Sequence, residues 1–336
     1  MPQPGLVDVH VDAILTNILI AYMQDADNFV ASRVFPIVPV AKKSDKYFTY
    51  DRTFWFREEA QLRAPSTESA GGGWGVSTDS YTADVYAFHK DIDDQVRANQ
   101  DSPLNMDRDA AKFVAQQLLL KLESLWTAAY MVGGNVWTGT ASAVDQTGVN
   151  AAPGANQFLQ WDDPASTPIE DVSRYSDEMG EKTGKRPNKL VIGPRVFTAL
   201  RNHPDIIDRI KYTQRGLGLT EALVAEALDV DEVLVARATH NTAAEGVAGA
   251  YSYYTGKVAL LAYAAAAPSL MEPSAGYMFG WTGYTGVGGV EGIGTGSRVN
   301  RMRLPWLNSD RIEGEMALAT KVVAPELGIY LASAVA

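Results

Sequence analysis

Three residues near the start of the chain have the types and spacing of a metal site. Asp8, His10 and Asp12 alternate. An extended strand would place these three side chains on one face, because successive side chains point to opposite faces. Carboxylate and imidazole ligands could then hold a metal ion that activates water for hydrolysis. The other histidines are isolated in sequence, so a polar chain terminus is the competing interpretation.

The remaining signals for catalysis are weak. The glycines over 286–296 and 71–73 lack the Lys-Ser/Thr ending of a phosphate-binding loop and do not connect a strand to a helix. Neither a G-x-S-x-G elbow nor an H-E-x-x-H motif occurs. The chain contains no cysteine, which excludes thiol catalysis, disulfides and cysteine-bound zinc. The sequence therefore predicts no enzyme and no cofactor.

The segment 50–75 carries aromatic and charged side chains together and ends in three glycines beside a tryptophan. Arginine and tryptophan could stack on nucleic-acid bases, but acidic residues are mixed among them. Mixed charge with aromatic residues is more typical of a protein interface, and an ordinary hairpin packed within its own fold is the third interpretation. The residues we assign to a subunit interface are Phe54, Trp55, Phe56, Arg57, Glu58, Arg63 and Trp74.

Composition limits the partners of the chain. It has 336 residues, with 46% hydrophobic and 21% charged, which is ordinary for a globular protein with a sizeable core. The net charge of −11 argues against broad attraction to nucleic-acid phosphates. Every apolar run is too short to span a bilayer, so we expect no membrane partner.

The first hundred residues predict elements that need a partner surface. Asp12 can cap a short amphipathic helix over 13–23, and two prolines make 34–49 an extended edge segment. Residues 50–100 alternate like strands on both sides of a soft tip at 64–75, which predicts a long two-stranded hairpin. Such a hairpin is marginal alone in water, so its aromatic residues need something to pack against.

The centre of the chain predicts one long helix and then a compact α/β region. Helical spacing runs over 105–132 with Asn105 as N-cap, and a Gly-rich loop or insertion follows over 135–166. Thr167-Pro168-Ile169-Glu170 predicts a capping box for a helix that ends at Gly184. We then expect strands at 189–192, 232–236 and 257–264, and helices at 194–200, 206–210 and 219–228.

The last fifty residues predict a flexible connector and then antiparallel strands. Residues 283–296 are the Gly-rich connector. The predicted strands are 298–304, 311–317, 320–324 and 328–333, with a turn at 325–328.

The order of these parts resembles the major capsid protein of tailed bacteriophages, whose Hong-Kong-97-type fold is shared with encapsulin shells. Residues 33–52 (RVFPIVPVAKKSDKYFTYDR) are similar to the entry of the extended loop in such coats. Residues 185–212 resemble the start of their axial domain, and 310–331 resemble their closing peripheral strands. The resemblance implies an α+β capsid fold. The implied divisions are an N-terminal arm (1–33), an extended loop (34–98), a peripheral domain with its spine helix (99–134), an axial domain with an inserted loop and connector (135–297), and closing peripheral strands (298–336).

The resemblance also implies the function. The chain would assemble into pentamers and hexamers of an icosahedral shell that encloses double-stranded DNA without sequence-specific binding. It would be a virion component assembled in the host cytoplasm, with a separate scaffolding protein, a portal and cement proteins as possible partners. The loop has no lysine between Tyr47 and His89, so we expect no covalent link between subunits.

Three other functions stay open from the sequence. One is an encapsulin-like compartment for protein cargo, and one is the metal-dependent hydrolase that would use Asp8, His10 and Asp12. The third is a carbohydrate-binding or tail-fibre module that would use exposed tryptophans.

Overall fold

The computed structural model describes residues 23–101, 104–210, 219–268, 272–286, 289–290 and 292–336. The triad of Asp8, His10 and Asp12 and nearly all of the helix predicted over 13–23 lie outside these residues. The helices are α1 (Ala31–Val34), α2 (Arg52–Trp55), α3 (Asp94–Ala98), α4 (Met106–Tyr130), α5 (Pro168–Thr183), α6 (Pro194–Asn202), α7 (Pro204–Ile210), α8 (Glu221–Ala227) and α9 (Thr282–Thr285).

Two larger sheets and three two-stranded ribbons contain the strands. The strands are β1 (Ile37–Val40), β2 (Ser44–Tyr50), β3 (Val76–Thr82), β4 (Asp84–Asp93), β5 (Gln146–Val149), β6 (Gln157–Leu159), β7 (Lys189–Ile192), β8 (Glu232–Val235), β9 (Thr239–Asn241), β10 (Tyr251–Tyr253), β11 (Ala259–Ala262), β12 (Gly276–Trp281), β13 (Gly289–Val290), β14 (Gly294–Thr295), β15 (Ser297–Leu304), β16 (Ser309–Val322) and β17 (Gly328–Ala332). A five-stranded sheet has the order β1-β12-β16-β15, with β4 on the other side of β16. A six-stranded sheet has the order β6-β5-β17-β11-β7-β8.

The extended loop is a ribbon that leaves the five-stranded sheet. β2 and β3 pair antiparallel from Ser44 opposite Thr82 to Tyr50 opposite Val76, as a hairpin requires. Two details of the predicted hairpin are wrong. The second strand turns into β4, which joins β16 instead of the ribbon. The aromatic run is helical, because Asp51 caps α2 by accepting a hydrogen bond from the Thr53 N–H at 2.8 Å.

The predicted edge segment and long helix are confirmed. β1 forms the edge of its sheet. Pro39 is tolerated there because it has no N–H, and an edge strand needs to donate hydrogen bonds on one side alone. α4 begins after Asn105, whose side-chain oxygen accepts from the Arg108 N–H at 3.0 Å. It packs on the five-stranded sheet over Gly314, where a Cβ would lie 2.5 Å from Val114 Cγ1. A glycine is therefore needed for the helix to approach β16 so closely.

The prediction of a loop over 135–166 is wrong. β5 and β6 form one edge of the six-stranded sheet, and β5 runs parallel to β17. Trp137, Phe158 and Trp161 are buried in the core. β5 and β6 are only four and three residues long and include polar residues, so no alternation of polar and apolar residues was long enough to indicate a strand.

The predicted α/β region is confirmed as strands β7, β8 and β11 with helices α5 to α8. α5 ends at Gly184, which adopts a left-handed conformation with φ of +70°. The capping box is only partly correct, because the Thr167 side chain makes no capping hydrogen bond. Proline at the first helical position and acidic residues in the first turn still favour the start of the helix there.

Three expectations for the last part of the chain are wrong. The glycine-rich connector contains α9, β13 and β14, and Ile293 is fully buried, so its described residues are packed structure. The strands predicted at 311–317 and 320–324 are one strand, β16. β17 pairs with β11 in the six-stranded sheet, and β12 pairs with β16 in the five-stranded sheet. The boundary placed at residue 298 therefore puts each of these strands with the wrong sheet.

Candidate subunit interface

The tip of the extended loop presents aromatic rings to solvent. Phe54 and Trp55 lie on α2, and Phe56 follows it. The exposed fractions of Trp55, Phe56 and Trp74 are 50%, 60% and 63%. Large apolar side chains exposed together mark surfaces that other molecules cover. The tip has the composition of an interface, and contact with another subunit remains a prediction.

The tip residues also contact one another. The Trp55 ring lies 5.8 Å from the Trp74 ring and 6.0 Å from the Tyr50 ring, centroid to centroid. An open cleft of about 750 Å³ lies beside them, between Phe54, Trp74 and the glycines at 71–73. The rings therefore pack on one another beside an open cleft that is also lined by Arg57, Glu58 and Glu59.

Charged residues lie beside the aromatic cluster, and two of them form an ion pair. Arg57 lies 3.5 Å from Glu59, and Glu58 lines the cleft. Arg63 donates through Nε to the Thr67 carbonyl oxygen at 2.5 Å, which closes the turn at the soft tip. This polar rim around an apolar centre is the usual arrangement of a protein interface.

Near its tip, the loop contacts its own subunit at a few of the described residues. A Cβ at Gly184 would lie 3.5 Å from Phe56 Cζ, and Arg52 lies 4.0 Å from Glu326. With these contacts in place, at least half of each of the side chains of Trp55, Phe56 and Trp74 remains exposed. The loop is not buried against its own molecule, and a partner could still cover the rings.

An aromatic stack holds the base of the loop. The Phe279 ring on β12 lies 4.5 Å from Tyr81 on β3 and 5.6 Å from Tyr47 on β2. The Tyr47 phenol donates a hydrogen bond to Asp79 at 2.8 Å. Burial is the main cause that raises the pKa of this phenol, and the hydrogen bond to Asp79 raises it further. Phe279 is not among the residues predicted from the sequence. The apolar run from Tyr277 to Trp281, which surrounds Phe279, was the available signal for a buried strand.

A second exposed apolar surface was also missed. The turn between β15 and β16 presents Trp306, which is 75% exposed, and Leu307. Its sequence, Pro305-Trp306-Leu307-Asn308, is a turn signal that carries apolar side chains.

Ion pairs fasten the strands behind this turn. Asp310 accepts hydrogen bonds from Arg301 at 2.6 Å and from Arg303 at 3.2 Å, and lies 2.9 Å from Arg97. The Arg301 hydrogen bond, with those from Arg303 and Arg97, lowers the pKa of the Asp310 carboxyl to about 2. The three arginines around the Asp310 carboxylate therefore link α3 to strands β15 and β16.

The described residues offer no assembled catalytic centre. Ser166 Oγ lies 3.0 Å from His203 Nε2, which resembles a nucleophile and its base. However, His203 Nδ1 accepts the Asp205 N–H at 3.2 Å, so a neutral ring carries its proton on Nε2 and cannot receive one from the serine there. Within these residues no group of three or more His, Cys, Asp or Glu side chains could hold a metal, and no helix is long and apolar enough to cross a membrane.

Comparisons of sequence agree with this architecture. The family described as phage major capsid protein E matches residues 157–248. The major capsid protein of Pseudomonas phage JBD67 is 26% identical over 335 residues, which cover 97% of each chain. The major capsid protein of Burkholderia phage BcepMu is 24% identical over 234 residues, which cover 68% of this chain and 70% of the relative.

Solved structures share the fold over nearly the whole chain. A phage-related protein from Bordetella bronchiseptica has a TM-score of 0.66 and 19% identity, with 93% of this chain and 94% of that chain covered. A capsid chain of cyanophage P-SCSP1u has a TM-score of 0.61 and 12% identity, with 98% and 95% covered. A chain of the holo-SrpI encapsulin complex of Synechococcus elongatus has a TM-score of 0.53 and 12% identity, with 96% and 95% covered.

The protein therefore has the α+β Hong-Kong-97-type capsid fold. The likeness to tailed-phage major capsid proteins and to an encapsulin, first seen in three short stretches of sequence, is confirmed over almost the entire chain.

Proposed function

We propose that this protein is the major capsid protein of a tailed bacteriophage, which assembles through pentamers and hexamers into an icosahedral shell around double-stranded DNA. The observation that carries the proposal is the aromatic tip on a loop that projects from the body of its own subunit. An exposed cluster of Trp and Phe with a polar rim is suited to a neighbouring copy.

The interface we propose is heterologous: the tip of one subunit covers a different surface on the next. Repeated rotation of such a contact closes a ring, which is how pentamers and hexamers form. Obligate interfaces of this kind bury on the order of 2,000 Å² or more. Phe54, Trp55, Phe56 and Trp74 would supply apolar contacts, with Arg57, Glu58 and Arg63 at the rim.

The charge of the chain supports a wall that encloses DNA without adhering to it. A net charge of −11 gives a field that repels phosphate. We propose a structural role without catalysis, in the virion after assembly in the host cytoplasm, with scaffolding, portal and cement proteins as candidate partners. Since the loop offers no lysine between Tyr47 and His89, the shell would be non-covalent, and its subunits would run as a single band on a denaturing gel.

An encapsulin-like compartment is the second candidate, favoured by the likeness to the encapsulin complex. The contents of purified native particles separate the two, since a phage head holds DNA and an encapsulin holds protein cargo. The hydrolase that would use Asp8, His10 and Asp12 has no supporting observation in the described residues.

Deletion of residues 60–75 tests the role of the loop. We expect a soluble, folded chain that fails to form closed particles in electron microscopy, because the deletion removes Trp74 and most of the residues that line the cleft. A matched variant keeps the loop length and the aromatic residues but replaces 65–69 with glycine and serine, and it should still assemble. Normal particles from the deletion variant would refute the assignment of the loop.

A further inference from the structure

A carboxylate is buried beneath the N-terminal segment of the described chain. Glu123 lies midway along α4 and its side chain has no solvent exposure. It is surrounded by the core that joins α4 to both large sheets and to the segment 29–35. A buried carboxylate is costly unless it is paired or hydrogen-bonded, so its position calls for a physical explanation.

Two backbone hydrogen bonds connect Glu123 to the N-terminal segment. Its Oε2 accepts from the N–H groups of Val30 and Ala31, each at 3.1 Å. These groups lie at the start of α1 and have no partner within that helix. Among the described residues, the other oxygen, Oε1, makes no hydrogen bond. One side chain of α4 therefore supplies the polar contact that orders the entry to α1.

The rest of the segment is held by apolar packing and by contacts nearer the surface. Phe29, Val34 and Phe35 are buried. Arg33 lies 3.1 Å from Glu232 and is half exposed, and the Gln24 side chain exchanges two hydrogen bonds with the backbone of Thr239. Protonation of Glu123 leaves these contacts unchanged, so only the hydrogen bonds to Val30 and Ala31 respond to it directly.

We propose that Glu123 is a pH-dependent latch, which holds the segment 29–35 against α4 and loosens when the carboxyl ionises. Burial raises the pKa of Glu123 to about 7, against an ordinary value of 4.5, and outweighs the lowering by the Ala31 and Val30 N–H groups. The closed state therefore binds the proton more tightly than a state in which Glu123 reaches water. Closure is strongest below pH 4.5 and weakens as the pH rises through 7.

Within the described part of the chain, no cationic side chain contributes to the pKa of Glu123. Burial and, secondarily, the charge of Glu123 raise the pKa of the Tyr254 phenol, so that group stays neutral in this range. His240 stacks on Tyr254, with the two ring centroids 4.2 Å apart. The charged groups on the other packed elements are Lys121 on α4, Arg33 on α1, Lys189 on β7 and Glu232 on β8.

Amide hydrogen exchange of the full chain tests the latch directly, after correction for the intrinsic effect of pH on exchange. If open and closed states have carboxyl pKa values of 4.5 and about 7, protection of the Val30 and Ala31 amides should fall on the order of 70-fold between pH 5 and pH 8. Glu123→Gln keeps an oxygen that accepts from both N–H groups but cannot ionise. In this variant the protection of the same two amides should change less than about twofold between pH 5 and pH 8. The amides of α5 serve as the internal control in both proteins.

Titration of the ¹³C-labelled Glu123 carboxyl in the wild-type chain keeps the test decisive if the variant folds poorly. A midpoint near 7 supports the latch. A midpoint near 4.5, or a pH dependence of Val30 and Ala31 protection that is equal in wild type and Glu123→Gln, would overturn it. The inference concerns the folded subunit and does not rest on shell assembly, so failure of either proposal leaves the other standing.

Discussion

Replacement of Phe279 by alanine should release the extended loop from the body of the subunit. The ribbon of β2 and β3 pairs with no other strand among the described residues, and Tyr47 and Tyr81 stack on Phe279 in an apolar cluster that also contains Ala83 and Ala319. Phe279 is 6% exposed and lies on β12, which is held on both sides by β1 and β16. The five-stranded sheet therefore positions the Phe279 ring, and the contacts of the ring mainly stabilise the docked ribbon.

The expected magnitude follows from the geometry. Truncation of a buried phenylalanine to alanine costs about 3–5 kcal/mol. Each of the two ring contacts, at 4.5 and 5.6 Å, contributes about 0.5–1.5 kcal/mol beyond area burial. A two-stranded ribbon is marginal on its own, so most of the loss should appear as local opening. A loss of about 4 kcal/mol raises the opening constant on the order of a thousandfold.

Hydrogen exchange resolved along the chain measures this opening. Amides of the ribbon, such as those paired between Tyr47 and Asp79, should lose protection in Phe279→Ala, while α5 keeps its protection. Phe279→Leu is the matched control, since it retains an apolar side chain but loses both ring contacts, and it should cost about 1–3 kcal/mol, less than the alanine variant. Equal loss of protection in the ribbon and in β16, or no loss in the ribbon, would refute the reasoning.

Two further substitutions test the packing and the ion pairs. Gly314→Ala should lower the free energy of unfolding by about 1–3 kcal/mol, because the added Cβ meets Val114 at 2.5 Å. Gly73→Ala, where a Cβ meets nothing within 4 Å, is the control, and equal urea midpoints for both would contradict the packing argument. Asp310→Asn should lower the urea midpoint above pH 4, and the difference from wild type should vanish as the pH falls through about 2, because the native pKa of Asp310 is lowered. A difference that stays constant from pH 5 to pH 2 would show that the ionised carboxylate is not the stabilising group.

Local chemistry made several elements predictable. Asn105 caps the long helix, Gly184 ends α5, and the prolines of 34–49 confine β1 to a sheet edge. Each of these signals acts through backbone groups within a few residues, so it is visible in sequence. The exposure of the tip aromatics was also foreseeable, since a segment of mixed charge, rings and glycine cannot bury itself.

The chain by itself determined the types and approximate limits of its strongly patterned elements and the lack of a self-contained core in the extended loop. Only the tertiary structure decided which strands share a sheet: β17 and the short β5 and β6 join the six-stranded sheet, while β12 joins the five-stranded one. Tertiary packing likewise brought Phe279 under the ribbon and Glu123 under α1. Sheet membership and burial depend on residues far apart in sequence, and the free energy that selects them comes from contacts no local pattern contains.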